Sequence, residues 1–444
     1  MIELLKPEQV LVIAFIIMIA IGTVLLSLPV ATGNGQPLPF LDALFTSTSA
    51  VCVTGLVVAD TATTFSTFGE MVIILLVQIG GLGITTVTTF FALMLGKKIG
   101  VKERLILRQA FNMLDMQGVV NLVLKVIVIT LIIETLGFVC LSFIFVPDWG
   151  WKTGLYFAFY HSISAYNNGG FDLFGHVEEF SSLTQYIDNP WIILVISALL
   201  LLGSIGFIVV LEMINYPRRR RLSLHTKVVL TMTGLLIVIG TIVILLIEWD
   251  NPATLGLLSI KDKLVVSFFH AVTPRSGGFT LVSIEQMHPV TQFFTILLMF
   301  VGAAPNSTGG GIKVTTFAII LLAVWAMMRG NRHVVAYRRR IPVDQVYKAL
   351  TVTVTFMALV IILTMLLMIT EHTDILKAMF EAVSSFGTVG LSMGLTPELG
   401  GIGKITVIIA MFAGRLGPIT LAVAIARNID PPPFSYPEER PLIG

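Results

Sequence analysis

The chain has 444 residues, 55% of them hydrophobic and only 12% charged, with a formal net charge of +2. Soluble domains carry about 25% charged residues, so a mean hydropathy of +0.92 excludes a soluble globular domain and points to an integral membrane protein. The two cysteines, Cys52 and Cys140, lie in apolar segments 88 residues apart; no disulfide framework and no zinc-like Cys/His spacing is present.

The predicted elements fall into four similar units. In 1–96, an apolar helix over Pro7–Leu28 precedes a short segment ending near Gly55, and a second long apolar helix covers Phe68–Leu95. The run Val10–Leu28 is read as a retained helix rather than a secretory signal, because it is long and has only Lys6 as a basic flank. After a loop at 97–118, the unit 119–216 repeats the order with helices at Val119–Phe145 and Trp191–Tyr216. After a basic loop at 217–223, the unit 224–328 has helices at Leu224–Trp249 and Pro289–Met328. After a second basic loop at 329–345, the unit 346–427 has helices at Val346–Ile369 and Gly403–Arg427, and a tail follows at 428–444. Asp42, Thr153, Asp262 and Asp374 stand near the starts of the four short segments, as N-caps do. Ten helical residues span about 15 Å, half a bilayer core, so each short segment reaches the midplane and returns.

The short segments share one skeleton, an aromatic residue followed ten positions later by glycine and then a large apolar residue. They run Phe45 to Gly55 and Leu56, Tyr160 to Gly170 and Phe171, Phe268 to Gly278 and Phe279, and Phe380 to Gly390 and Leu391. The glycines are 115, 108 and 112 residues apart. Four equal spacings, each between two spanning helices, predict four backbone loops around one axis rather than glycines placed for packing. The expected fold is an all-α integral membrane protein of four tandem repeats around a pseudo-fourfold pore. Each repeat reads spanning helix, re-entrant pore helix, filter loop, spanning helix. Backbone carbonyls can replace the water shell of a cation without fixed charge. The expected oxygen donors precede or include each glycine: Val53, Thr54 and Gly55; Asn168, Gly169 and Gly170; Ser276, Gly277 and Gly278; Thr388, Val389 and Gly390. Arg275 breaks the symmetry and is expected to turn behind its loop to bond backbone carbonyls or a carboxylate.

Lysine and arginine set the orientation. The loops between repeats carry Lys97, Lys98, Lys102, Arg104 and Arg108, then Arg218 to Arg221, then Arg329, Arg332 and Arg338 to Arg340. The opposite side is acidic, with Asp60, Asp172, Glu178, Glu179 and Glu285 among its residues. Both termini are therefore expected in the cytoplasm of a bacterial cell, beneath an acidic outer mouth that concentrates cations.

Each second helix also contains a glycine cluster: Gly80 to Gly83, Gly203 to Gly206, Gly302 onward, and Gly414 to Gly417. The third reads Gly302-Ala303-Ala304-Pro305-Asn306-Ser307-Thr308-Gly309-Gly310-Gly311 and is followed by Lys313. Proline and adjacent glycines break a helix here, and broken backbone at this depth must line a cavity or be wrapped in protein. Arg415 is a charge in an otherwise uncharged span, so the segment 303–311, Lys313 and Arg415 form the expected constriction. Glu134 is expected to pair with a polar group of a neighbouring helix.

Over its whole length the chain resembles the potassium-translocating subunits of the Trk/Ktr/HKT superfamily, and most of all its bacterial Ktr branch. The carrying motifs are Ser49-Ala-Val-Cys-Val-Thr-Gly55-Leu56, Asn167-Asn-Gly-Gly170-Phe171, Pro274-Arg-Ser-Gly-Gly278-Phe279 and Phe386-Gly-Thr-Val-Gly390-Leu391. The resemblance implies one filter glycine per repeat, K+ as the transported ion, and an intramembrane gating loop with an arginine beside it. Glycine at position 55, where some sodium-selective relatives have serine, goes with potassium in the family pattern. Sodium dependence stays open. The resemblance further implies a membrane homodimer and a separate cytoplasmic nucleotide-binding regulatory ring (KtrA-like). Membrane lipid is a further expected contact, nucleic acid is not, and no organic cofactor is expected in this chain. A coupled secondary cation transporter with discontinuous helices is the rival reading. An intramembrane enzyme is not expected, because no His-Glu-x-x-His or Gly-x-Ser-Gly pattern occurs.

Overall fold

The computed structural model describes residues 7–95, 99–110, 118–417 and 439. Lys97, Lys98, the end of the fourth closing helix and the tail 428–444 apart from Glu439 lie outside the described residues, as does the side chain of Lys102. The first unit comprises α1 (Pro7–Leu26), α2 (Phe40–Val51), the single turn α3 (Thr61–Thr64), α4 (Thr67–Leu82) and α5 (Ile84–Met94), and α6 (Val101–Ala110) follows it. The second comprises α7 (Val119–Tyr166), α8 (Pro190–Ser204) and α9 (Phe207–Arg219). The third comprises α10 (Leu224–Glu248), α11 (Ile260–Val272), α12 (Pro289–Phe300) and α13 (Val314–Met328). A two-stranded hairpin, β1 (Val335–Ala336) with β2 (Arg339–Arg340), leads to α14 (Val343–Glu371), α15 (Ile375–Gly387), the single turn α16 (Leu395–Glu398) and α17 (Gly401–Leu416).

Among the described residues, four helices are long and apolar enough to cross a membrane, Glu8–Leu26 and Leu224–Glu248 with the longer Val119–Tyr166 and Val343–Glu371, and two bent helix pairs bring the number to six if each is one span. Only 28% of each apolar window is buried inside the protein, which leaves most of those surfaces for hydrocarbon. The second unit joins its spanning and re-entrant parts in one helical run. Gly150 breaks that run at φ 76°, just after Pro147.

The predicted closing helices differ from the observed ones in one instructive way. The predicted Phe68–Leu95 is two helices meeting at 93°, and Trp191–Tyr216 is two meeting at 102°. The hinge residues are Gly83 (φ 85°) and Gly206 (φ 92°), and α17 likewise ends at Gly417 (φ 81°). A left-handed glycine satisfies helix-end geometry that no residue with a Cβ adopts cheaply. The glycine clusters therefore end a helix at matching places, whereas an unbroken apolar reading ran straight through them.

The N-cap expectations hold in position more than in bonding. Asp374 is the N-cap of α15 but makes no side-chain cap bond, and Asp42 stands in the first turn of α2 behind Pro39. At α11 the cap is Ser259, whose hydroxyl accepts from the Asp262 N–H at 3.3 Å. Thr153 lies inside α7, past its break.

The units pack in sequence. Helix α4 lies on α7, α8 on α11, α12 on α15, and α17 returns to α2. The last contact is reinforced on the acidic face, where Lys404 Nζ lies 2.5 Å from Asp42 Oδ1. The apolar core between the units forms one large cluster, with Phe45, Tyr160, Phe269 and Phe380 fully buried, and a smaller one around Val209, Val229 and Val301.

Candidate functional site

The four loops that follow α2, α7, α11 and α15 adopt one backbone pattern. The residue two before each glycine has positive φ: Val53 (55°), Asn168 (59°), Ser276 (84°) and Thr388 (48°). The glycines themselves have φ of 88° at Gly55, 70° at Gly170, 71° at Gly278 and 90° at Gly390. The residues between them, Thr54, Gly169, Gly277 and Val389, have no positive φ. Such alternation turns successive peptide planes alike, with N–H groups to one side and carbonyls to the other. The N–H side faces each loop's own helix. Thr54 N donates to Ser49 O (2.8 Å), Gly169 N to Ser164 O (2.7 Å) and Val389 N to Ser384 O (2.9 Å). In the third loop Gly277 N reaches Thr273 O instead, at 2.7 Å. Four non-glycine residues held left-handed cost about 1–3 kcal/mol each, a concentration of strain expected where backbone position matters more than stability.

The glycines close on one another. A Cβ built on Gly55 would stand 2.6 Å from Gly169 O, and one on Gly170 would stand 3.4 Å from Gly277 O. A Cβ on Gly278 would stand 3.3 Å from Val389 O, and one on Gly390 would stand 2.3 Å from Thr54 O. Each glycine thus faces the carbonyl that precedes the next glycine, and the fourth faces the first. Any side chain would enter this small space. Not every expected donor carbonyl is free, because the Ser276 hydroxyl donates to Thr388 O at 2.5 Å.

These glycines form the floor of a cavity of about 600 Å³. Its wall includes five carboxylates, Asp60, Asp172, Glu178, Glu179 and Glu285, and, among the described residues, no lysine, arginine or histidine. Lys377 pairs with Glu285 at 2.5 Å and offsets one of the five, while Lys404 pairs with Asp42 outside the wall, so the balance of the cavity stays negative. A water-accessible concavity with one sign of charge concentrates counter-ions, here cations.

On the other side of the glycines lies the segment between α12 and α13. It is a compact loop tied by Gly302 N to Ile312 O (2.9 Å), Ala303 N to Gly310 O (3.3 Å) and Val314 N to Ala303 O (3.2 Å). The Lys313 ammonium donates to Gly309 O at 2.7 Å, and the Ser307 hydroxyl to Ala304 O at 2.6 Å. The second, third and fourth units grip this loop directly, and the first is tied to it through Arg415. Ala304 N donates to Ser204 O (2.9 Å), Thr308 N to Gly203 O (3.2 Å) and Phe207 N to Asn306 O (2.8 Å). The Thr308 hydroxyl lies 3.2 Å from Asn168 Oδ1. Gly309 and Gly310 are pressed against Ser276 and Thr388, where a Cβ would stand 2.8 Å and 2.3 Å from the nearest side-chain hydroxyl oxygen. Arg415 completes the arrangement, its guanidinium donating to the carbonyls of Thr308 and Gly80. The sequence placed Pro305, Gly311, Lys313 and Arg415 in one region. The anchors Gly203, Ser204 and Asn168 were not foreseen, since only the fold brings them there.

Two buried polar residues behind the loops have different outcomes. Glu134 does pair as expected: Gln78 Nε2 donates to it at 3.2 Å and Asn167 Nδ2 at 2.9 Å, and Asn167 also donates to Gln78 Oε1 at 2.7 Å. Arg275 is buried, 2% exposed, but none of its guanidinium nitrogens has a hydrogen-bond partner among the described residues. The bonding expected for it is not found. Local carbonyls already accept from the loop itself: Val272 O from Arg275 N, Thr273 O from Gly277 N, and Phe279 O from the Thr273 hydroxyl.

Apolar spanning helices, re-entrant helices whose ends meet at four glycines, and an acidic vestibule above a wrapped loop define a multi-pass membrane protein built to pass cations. In agreement, residues 3–434 match the TrkH model, described as cation transport protein, and the chain belongs to that family. It is 44% identical over 438 residues to the Ktr system potassium uptake protein B of Bacillus subtilis, covering 99% of this chain and 97% of that protein. It is 37% identical over 446 residues to the potassium/sodium uptake protein NtpJ of Enterococcus hirae, covering 99% and 98%. The crystal structure of the potassium transporter TrkH from Vibrio parahaemolyticus superposes with a TM-score of 0.70 at 19% identity, over 93% of this chain and 84% of that one. That likeness concerns the fold.

Proposed function

We propose that the chain is the potassium-translocating subunit of a Ktr-type uptake system in the bacterial cytoplasmic membrane, with both termini in the cytoplasm. The observation that carries this reading is the acidic cavity whose floor is Gly55, Gly170, Gly278 and Gly390. A potassium ion sheds water on entering from the cavity and takes backbone oxygens in exchange, those of Val53 to Gly55, Asn168 to Gly170, Ser276 to Gly278, and Val389 and Gly390, the Thr388 carbonyl being already engaged by Ser276. The ends of α2, α7, α11 and α15 lie within six residues of those glycines, and their negative helix ends favour a cation there. Residues 303–311, held by Lys313 and Arg415, form the gate below. Potassium uptake is in the names of the Bacillus subtilis and Enterococcus hirae relatives, and sodium is in the second name as well; sodium as a second ion belongs to this reading. So do assembly as a homodimer and control by a cytoplasmic nucleotide-binding ring, the partner that a Ktr system implies. Four convergent re-entrant segments, and a mid-span Glu134 tied to Gln78 and Asn167, favour this over a coupled transporter working through paired helix breaks.

The test is potassium uptake in a bacterium lacking its own uptake systems, comparing the native chain with Gly55→Ser, Gly170→Ser, Gly278→Ser and Gly390→Ser. Each serine is expected to reduce uptake or its preference for potassium over sodium. Unchanged uptake and preference in all four would remove the filter assignment.

A further inference from the structure

Separate from the acidic cavity, on the basic side, α10, α13 and the β1–β2 hairpin enclose an apolar groove of about 650 Å³, within the range of about 300–1,000 Å³ typical of ligand sites. Val228 and Met232 of α10, Ala318, Leu321 and Met328 of α13, and Val335 of the hairpin line it. We propose that this groove binds an anionic phospholipid, with an acyl chain in the slot and the headgroup against the cations at its rim.

Three observations support that occupant. First, each aromatic wall carries a cation. The Arg329 guanidinium carbon lies 4.4 Å from the Trp325 ring centroid, and Lys227 Nζ lies 5.6 Å from that of Tyr337. Such contacts hold the charges at the end of the slot rather than leaving them free in water. Amphipathic aromatics beside cations are what a helix end presents at headgroup level. Second, the segments that form the groove carry one sign, Glu212 lying outside them, where it accepts from Ser223 N at the start of α10. Neither 213–247 nor 313–343 contains an aspartate or glutamate, while Arg332, Arg338, Arg339 and Arg340 are all exposed on or beside the hairpin. A second copy of this chain docked symmetrically here would set one basic rim against another. An anionic headgroup is the complementary occupant. Third, the hairpin is strained to form the wall. Tyr337 (φ 48°) and Arg338 (φ 62°) are both left-handed, in a two-residue turn that ordinarily takes Asn and Gly. The strain places the Tyr337 hydroxyl 2.5 Å from Thr231 Oγ1 and closes the slot.

A lipid so held would brace α13, which begins at Val314, directly after the segment 302–313. Binding itself can be tested without any assumption about ions. The purified full-length protein is exchanged into detergent with added phosphatidylglycerol or phosphatidylcholine, and retained lipids are counted by native mass spectrometry. The native chain is expected to retain phosphatidylglycerol in preference. Lys227→Gln and Arg329→Gln should each weaken its retention about fivefold, equivalent to about 1 kcal/mol per cation near an anionic headgroup. Leu321→Trp, at a half-exposed lining position, should fill the slot and lower retention of both lipids. Size-exclusion profiles and thermal unfolding verify that each variant is folded. Equal retention of the two lipids, or retention indifferent to all three substitutions, would overturn the proposal. So would a dimer that dissociates when Leu321→Trp is introduced, because the groove would then be covered by a second copy.

Discussion

At the scale of single residues, glycine does two jobs in this chain besides ending helices, and spacing alone revealed only one. The ten-residue interval from aromatic to glycine located Gly55, Gly170, Gly278 and Gly390, because position in a repeat is a property of sequence. The other job is close approach. A Cβ on Gly80, Gly203 or Gly414 would stand 2.1, 1.9 or 2.0 Å from the carbonyl oxygens of Val51, Tyr166 and Phe386. Each of these carbonyls belongs to the residue four before a candidate filter glycine, so these contacts set how near the closing helix comes to its own re-entrant segment. A methyl group here must move backbone rather than a flexible side chain, and overpacking of that kind costs typically about 1–3 kcal/mol. Gly414→Ala is therefore expected to lower the thermal unfolding midpoint in detergent and to reduce uptake. Gly234→Ala, at a helical position with nothing within 4 Å of the added Cβ, should leave uptake intact and raise stability by up to about 1 kcal/mol. Equal effects of the two substitutions would mean that close approach is not what position 414 requires.

At the scale of elements, the decisive feature is a helix that fails to form. Between α12 and α13, Pro305 and three adjacent glycines replace helical hydrogen bonds with contacts to other units, and Arg415 supplies two of the clasps through Thr308 O and Gly80 O. Arg415→Ala removes both donors together with a fixed positive charge below the glycines. If the loop is the gate, patch recordings or flux assays in liposomes should show potassium flux increased severalfold over the native chain. Flux that is unchanged or lower would place the constriction elsewhere. Arg415→Lys should recover part of the native behaviour, since it restores charge without the two-pronged geometry. The sequence exposed this element because proline, glycine triplets and a lone arginine are conspicuous in an apolar run. It did not expose the bends at Gly83 and Gly206, since glycine in an apolar helix carries no sign of its φ, and Leu82 and Ile84 or Ile205 and Phe207 look like ordinary continuations. Nor did it reveal the hairpin at 335–340, whose turn residues Tyr337 and Arg338 contradict turn preference. The identity of Glu134's partners, Gln78 and Asn167, and the unpartnered state of the Arg275 guanidinium among the described residues were equally out of reach, because both depend on which helix lies behind which loop.

At the scale of the whole molecule, charge is sorted more sharply than the net value of +2 suggests. The cavity above the four glycines is lined by five carboxylates and, among the described residues, no basic side chain, only Glu285 being paired with a lysine, while the arginine-rich loops lie at the far ends of the same helices. Two effects can be separated by ionic strength. Carboxylates that ligate an ion directly would matter at any salt concentration, whereas those that only raise the local cation concentration act through a field screened over about 8 Å at physiological ionic strength. Glu178 and Glu179 are exposed on the cavity wall and belong to the second kind. The double substitution Glu178→Gln with Glu179→Gln should therefore raise the apparent KM for potassium about twofold to fivefold at low ionic strength, through loss of electrostatic focusing. The maximal rate should be unaffected, and the difference should vanish as an impermeant salt is added. A KM shift that persists at high salt would instead mean that these two carboxylates hold the ion themselves, and the acidic wall would then be part of the binding site rather than its antechamber.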